Sequence, residues 1–217
     1  METKNIYNLI ILDESGSMTA IERQAVSAMN ETFQGIRNAS KANPEQNFFV
    51  SLVVFEGIGV KGVRTVRDRI LVENIQDISQ EEYRPGGCTP LYDAMGVAIS
   101  SLSKVTKDGD PVLVTVITDG MENASEEYSG KAIKELVSRK REKGWTFAYI
   151  GANQDAVEVA CELDIRNALN FEATEAGTKR MGRKLAGATA LYCKSVADSE
   201  CCGDMENFFE NEDKDNN

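Results

Sequence analysis

The stretch NIYNLIILDESGS, residues 5–17, decides the fold. Its first eight residues form a near-continuous apolar run, which is typical of a strand buried on both faces of a parallel sheet. The run ends at Asp13, and small polar residues follow it. A second such run, PVLVTVIT at 111–118, ends at Asp119 and Gly120. The two runs predict buried strands whose carboxyl ends place two carboxylates at the same edge of a sheet.

Around these two runs, β-rich stretches alternate with longer helical ones. Further strands are predicted at 48–55, 145–150 and 168–171, an edge hairpin at 60–72, and helices at 20–39, 91–104, 127–142, 155–163 and 174–195. Repeated βα units favour the α/β class. We therefore expect a doubly wound, mostly parallel central sheet with helices on both faces and one antiparallel edge strand.

Composition limits the size of the domain and the kinds of partner. A chain of 217 residues with 41% hydrophobic content can bury one substantial core, so one domain plus an appendage is expected. The formal net charge of -11 disfavours binding to nucleic acid or to anionic membranes. No stretch approaches the roughly 20 consecutive apolar residues that a membrane span needs.

The absence of histidine from the sequence removes most hydrolase chemistry. Ser-His and Cys-His nucleophiles and His-ligated zinc sites are all excluded. The five cysteines are odd in number and fit no disulfide framework, which indicates a reducing compartment, with the cytoplasm as the default. Zinc held by cysteine is disfavoured as well, because no C-x-x-C pair is present.

The candidate site is a set of oxygen-bearing side chains predicted at one edge of the sheet. In doubly wound sheets, ligands bind outside the carboxyl ends of the strands, where the strand order reverses. Two carboxylates and three hydroxyls are hard donors, which suit Mg²⁺ best and leave Mn²⁺ or Ca²⁺ possible. The five residues are Asp13, Ser15, Ser17, Thr89 and Asp119.

Three motifs carry a resemblance to a known family. They are D-x-S-x-S at 13–17, G-x-T-x-L at 87–91 and T-D-G at 118–120. In this order they resemble the metal-ion-dependent adhesion site of von Willebrand factor A (VWA) domains, and the resemblance covers about residues 4–192. The stretches TPLYDA at 89–94 and TDGMENAS at 118–125 are similar to intracellular bacterial and phage members.

The resemblance implies a function in protein binding. In the family, the serines that correspond to Ser15 and Ser17 hold the metal directly, Thr89 would bind it directly or through water, and the aspartates often act through waters. A Glu or Asp of a partner protein commonly completes the coordination. The resemblance further implies service to a larger assembly, such as an AAA+ ATPase or a stress-response complex, and a last helix that can slide.

Other interpretations stay open on the sequence alone. Asp13 and Ser15 could cap a helix, Thr89 with Pro90 could simply begin one, and Asp119 with its neighbours could form an ordinary turn. A Mg²⁺-dependent phosphatase with Asp13 as nucleophile is a second functional class, although the expected second Asp is replaced by Ser15. A scaffold with an unused metal site is a third.

The C-terminal segment has a different composition. Residues 198–217 hold eight acidic residues and one lysine, which favours a solvated, disordered tail after a VWA domain spanning residues 1–197. Within it, Phe208 and Phe209 could instead anchor a partner. A tail carboxylate that enters the metal site of a neighbouring molecule is a further hypothesis.

Overall fold

The computed structural model describes residues 3–152, 155–198 and 204–209. The strands are β1 (Asn5–Asp13), β2 (Asn47–Phe55), β3 (Val63–Leu71), β4 (Val112–Thr118), β5 (Thr146–Ala152) and β6 (Asn167–Phe171). The helices are α1 (Glu22–Ala42), α2 (Leu91–Ser103), α3 (Gly130–Arg141), α4 (Ala156–Glu162) and α5 (Glu175–Asp198).

The six strands form a single sheet in the order β3-β2-β1-β4-β5-β6. β1 pairs in parallel with β2 and β4, and β5 and β6 continue the parallel part. β3 runs antiparallel to β2 at the edge. The strand order reverses between β1 and β4, so the expected doubly wound sheet with one antiparallel edge strand is confirmed.

The central strand β1 is buried on both faces because its two sets of alternating side chains face two separate cores. Ile6, Ile10 and Leu12 lie in one core with α1 and α5. Leu9 and Ile11 lie in the other core with α2, α3 and α4. Each such side chain contributes about 1.5–3 kcal/mol when it is fully buried, which explains the continuous apolar run in the sequence.

Two helices cover the first face in close contact. A Cβ on Gly35 of α1 would lie 2.9 Å from the carbonyl oxygen of Ala186 on α5. A Cβ on Gly182 of α5 would lie 2.7 Å from the Cβ of Ala28 on α1. Glycine at both positions therefore lets α1 and α5 approach each other closely over the sheet.

Two predicted boundaries differ from the structure for local reasons. The helix expected from residue 20 begins at Glu22, because Gly16–Ile21 forms a 3-10 turn first. The helix expected from residue 127 begins at Gly130, because the Ser129 side chain accepts a hydrogen bond from the Ala132 amide and caps it. Region 60–72 contributes one strand, β3, which forms the edge hairpin with β2.

Part of the C-terminal segment packs on the domain, unlike the solvated tail expected from its charge. Phe208 is 1% exposed and lies edge-on to Tyr192 of α5, with ring centroids 6.4 Å apart. Phe209 is buried beside it. Burial of the two aromatic rings thus keeps residues 204–209 on the domain despite their acidic neighbours. The rest of the predicted tail after Asp198 lies outside the described residues.

Polar contacts fix the same segment to the sheet edge. The Asn167 side chain donates to the carbonyl oxygen of Met205 at 2.8 Å and accepts from the amide of Phe208 at 2.9 Å. Arg141 donates to Asp204 at 2.8 Å. Burial of this arginine is thus compensated by a paired carboxylate.

None of the described helices is both long and apolar enough to cross a membrane.

Substitution of Phe208 by alanine tests whether the C-terminal segment belongs to the fold. Because the ring is buried, we expect Phe208→Ala to lower the free energy of unfolding by about 3–5 kcal/mol. Val157→Ala is the control, since Val157 is 58% exposed and its loss should cost less than about 0.5 kcal/mol. Urea denaturation measures both, and equal stabilities for the two variants would contradict the packing.

Candidate metal centre

The candidate site lies where the strand order reverses, at the carboxyl ends of β1 and β4. Asp13 is the last residue of β1, and Asp119 directly follows β4. The Ser17 hydroxyl donates to Asp119 Oδ1 at 2.5 Å. Ser15 Oγ lies 3.2 Å from Ser17 Oγ. Parallel strands thus bring these four side chains together from two segments of the chain that are far apart in sequence.

Thr89 joins the group from a third segment. A Cβ built on Gly120 would lie 3.0 Å from Thr89 Oγ1, 3.5 Å from Ser17 Oγ and 3.7 Å from Asp13 Oδ2. One point in space is therefore close to oxygen atoms from all three loops. The structure brings all five predicted site residues to one place, and a Cβ at 120 would be in tight contact with the Thr89 hydroxyl there.

The Asp13 carboxylate is held in a fixed orientation. Its Oδ1 accepts the Ser15 amide at 2.7 Å, and its Oδ2 accepts the Thr118 hydroxyl at 2.5 Å. Thr118 also accepts the Gly120 amide at 3.1 Å. Its hydroxyl thus acts as a positioning group between the two strands, a role that the T-D-G motif contains but that sequence analysis did not assign.

Burial makes the site electrostatically demanding. Asp13 is fully buried, and desolvation raises the pKa of its carboxyl to about 6, against the lowering effect of its hydrogen bonds to Thr118 and Ser15. Desolvation also raises the pKa of Asp119, while the hydrogen bond from Ser17 lowers it. Two buried carboxylates side by side favour a proton or a cation between them.

A buried glutamate organises the loop after β1. Glu14 is 3% exposed, and its Oε1 accepts the Arg84 amide at 2.6 Å while Arg64 donates to its Oε2 at 2.9 Å. The Tyr83 hydroxyl donates to the Asp13 carbonyl oxygen at 2.5 Å. Glu14 therefore fixes the 83–87 loop and is not among the site's oxygen donors.

The glycines of that loop permit its close approach to its neighbours. Gly87 has a φ of +66°, and a Cβ there would lie 2.8 Å from the Gly57 amide nitrogen. Its carbonyl oxygen accepts the Gly16 amide at 3.2 Å. A side chain at 87 would clash with Glu56 and Gly57 and push the loop that carries Thr89 away from the turn after β2.

Asn123 fixes the Thr89 backbone from the other side. Its side-chain oxygen accepts the Thr89 backbone amide at 2.9 Å, and its backbone amide donates to the Thr89 carbonyl oxygen at 3.2 Å. This reciprocal pair couples the loop after β4 to the loop before α2. The hydroxyl of Thr89 can thus hold its position without a regular element on its N-terminal side.

Two acidic side chains bind the same loop after β4 to α2. Glu122 accepts the Tyr92 amide at 2.9 Å, which satisfies a free amide in the first turn of α2. Asp93, fully buried, accepts the Glu126 amide at 2.8 Å and the Tyr128 amide at 2.7 Å. Sequence analysis missed both roles, although TPLYDA and TDGMENAS contain these residues and had already been singled out.

The helix-cap explanation for Ser15 does not match the structure. Ser15 precedes the 3-10 turn at Gly16–Ile21 but makes no side-chain capping bond to it. Thr89 and Pro90 do lie directly before α2, which begins at Leu91, and the proline side chain has no group that could cap it. The hydroxyls of Ser15 and Thr89 face the shared site and do not cap these turns.

The donor set fits a hard divalent cation. Among the described residues, no three His, Cys, Asp or Glu side chains are close enough to hold a metal by themselves. The site instead combines two carboxylates with hydroxyls, all of them oxygen donors that Mg²⁺ accepts. Ser17 is exposed while Asp13, Ser15 and Asp119 are buried, so the group opens to solvent at Ser17.

Comparisons with known proteins agree with this architecture at the level of the fold. No protein-family model and no curated protein matches the sequence. Among solved structures, the pilus adhesin SpaC of Lactobacillus rhamnosus GG has a TM-score of 0.65 at 14% identity, over 88% of this chain and 31% of its own. The PilB minor pilin of Streptococcus sanguinis has a TM-score of 0.59 at 12% identity, over 90% and 63%.

A third similar structure is a von Willebrand factor type A protein from Catenulispora acidiphila, with a TM-score of 0.59 at 14% identity, over 86% of this chain and 43% of its own. The chain thus spans less than two thirds of the length of each of these three proteins. At such low identity the likeness shows the fold alone: this chain has a VWA-like Rossmann fold.

Proposed function

We propose that the chain is a metal-dependent protein-binding module, in which Mg²⁺ at the candidate metal centre captures a carboxylate of a partner protein. The observation that carries the proposal is the convergence of oxygen donors from three loops on one point beside Gly120. The residues that would hold the ion are Asp13, Ser15, Ser17, Thr89 and Asp119. Mn²⁺ and Ca²⁺ suit the same donors.

The chemistry of the donors favours an acidic partner group. Three of the five proposed donors are neutral hydroxyls, and the family resemblance implies that the aspartates often act through waters. An ion that is bound largely by neutral oxygens keeps a strong attraction for an outside carboxylate. Because Ser17 is exposed, such a group can approach from the solvent side.

The structure favours binding over phosphoryl transfer. Both oxygens of Asp13 already accept hydrogen bonds, from the Ser15 amide and the Thr118 hydroxyl. A nucleophilic aspartate must present one of its oxygens to the substrate, and Asp13 is fully buried. The similar solved structures include a pilus adhesin and a minor pilin, which supports a binding role. No turnover of phosphate esters is therefore expected.

The proposed setting is the cytoplasm. Cys88, Cys161 and Cys193 are free thiols within the described residues, and two of them are exposed. Exposed free thiols persist most readily in a reducing compartment.

Calorimetric titration of Mg²⁺ into chelator-treated protein tests the proposed metal site. We expect saturable binding to the wild type and at least about a tenfold loss of affinity in Asp119→Asn, which removes the negative charge, and in Ser17→Ala, which removes a hydroxyl donor. Asp108→Asn is the charge-matched control. Asp108 is exposed in the loop before β4, at the opposite end of the strands from the candidate site, and it pairs with Lys143.

Retained affinity in Asp108→Asn shows that the loss in Asp119→Asn does not come from net charge. A wild type that binds no Mg²⁺, Mn²⁺ or Ca²⁺ would contradict the proposal and favour a scaffold with an unused site.

The raised pKa of Asp13 predicts a pH dependence of stability in the metal-free protein. The folded pKa of about 6 lies above the unfolded value of about 3.9, so the folded state binds the proton more tightly. Proton binding by Asp13 contributes fully to the free energy of unfolding below about pH 4. This contribution is lost as the pH rises through about 6, and the loss is roughly 3 kcal/mol at most. Urea denaturation in chelator should show this loss for the wild type.

Asp13→Asn provides the matched comparison because it cannot ionise. The difference in free energy of unfolding between wild type and Asp13→Asn should shift against the wild type between about pH 4 and pH 7. Mg²⁺ at one fixed concentration and neutral pH should stabilise the wild type more than Asp13→Asn. A difference that stays constant with pH would show that Asp13 is not perturbed by its burial.

A further inference from the structure

We infer that Ile58 and Met121 form an apolar border of the candidate metal centre and select partners whose metal-binding carboxylate is flanked by apolar side chains. The inference rests on the proposed function and specifies its partner. It is carried by the exposure of these two side chains together with the contacts of the loops that hold them.

Large exposed apolar side chains are few in the described part of the chain. They are Ile58 at 61%, Val105 at 40%, Met121 at 72% and Val157 at 58% exposed. A single exposed apolar residue needs no explanation. Two of these four, however, lie on loops that contact the candidate site, and exposed apolar groups gathered beside a polar centre are typical of binding surfaces.

Met121 borders the site through the chain itself. It follows Gly120, whose Cα faces the oxygens of Thr89, Ser17 and Asp13. The next residue, Glu122, accepts amides of the loop and of α2. The Met121 backbone is therefore held in place while its side chain remains in solvent, so a partner that covers it restricts the side chain but need not order the backbone.

Ile58 reaches the site through the turn after β2. The amide of Gly59 donates to the Ala124 carbonyl oxygen at 2.9 Å, which joins this turn to the loop after Asp119. On the other side, Gly57 is in contact with Gly87 of the loop that carries Thr89. The turn at Ile58 thus touches two of the three loops that form the site.

The charge beside Ile58 limits the partner further. Glu56 lies against Gly87, and Glu126 lies against Gly59, within a chain of net charge -11. These carboxylates and the net negative charge would repel a run of acidic residues in a partner. A single carboxylate that reaches the metal would still be attracted to it. The partner segment that fits is one acidic residue with apolar neighbours and no excess of negative charge.

Blocked synthetic peptides with a fluorescent label test this inference by anisotropy. One peptide carries a single glutamate between leucines, the second carries it between serines, and the third carries a run of glutamates. Each is titrated with the protein in Mg²⁺ and again in chelator. We expect the leucine peptide to bind roughly tenfold more tightly than the serine peptide, since burial of apolar area adds affinity, and the polyglutamate peptide to bind no better than the serine peptide.

Two variants locate the preference. Ile58→Ser with Met121→Ser should reduce the leucine peptide to the affinity of the serine peptide, while Mg²⁺ affinity by calorimetry stays at the wild-type value. Val105→Ser is the control, because Val105 is exposed in the loop between α2 and β4, at the opposite end of the strands from the candidate site. It should retain the preference.

The outcomes separate this inference from the function on which it rests. Equal, Mg²⁺-dependent binding of the leucine and serine peptides, or an unchanged preference in the double variant, would overturn the inference alone. Peptide binding that is the same in Mg²⁺ and in chelator would overturn the metal-dependent function itself.

Discussion

The parallel pairing of β1 with β4 is the constraint on which the site depends. Leu12 lies opposite Ile117, so both strands end at the same level and deliver Asp13 and Asp119 to one edge. Side-chain direction alternates along a strand, and a slip of one residue would turn Thr118, which lies level with Asp13 and donates to it, towards the other face. The apolar side chains that fill the two cores fix this register. Packing of the sheet and placement of the oxygen donors are therefore one property of the sequence.

The fold also carries a cost at this edge. A fully buried Asp13 with a neighbouring Asp119 is disfavoured in the charged form, which is why its pKa rises to about 6. The bond from Thr118 and the bond from the Ser15 amide offset only part of that cost. A divalent cation would offset the remainder, because it supplies the opposite charge where water is excluded. Metal affinity and the instability of the metal-free site would then share one cause.

The sequence was sufficient for the fold and for the group of donors, since both follow from periodicity and from strand ends. It was insufficient where a contact depends on side-chain partners distant in the chain. The roles of Asp93 and Asn123 required knowing that the loop after β4 lies on the start of α2. The placement of Phe208 required knowing that Tyr192 of α5 contacts its ring and that Asn167 of β6 accepts its amide. The charge of the segment alone favoured exposure to solvent. Composition describes a segment, but it does not describe the surface that receives it.

The acidic residues around the site divide into two kinds, and the division explains its chemistry. Glu14, Glu122 and Asp93 accept backbone amides and hold the three loops in position, whereas only Asp13 and Asp119 face the shared point. Carboxylates that satisfy amides keep the loops rigid without adding negative charge to the metal position. Since hydroxyls are weak ligands, such prior ordering is what would let them hold an ion. A site with all five acids turned inward would bind the cation more strongly and would leave it little attraction for a carboxylate from outside.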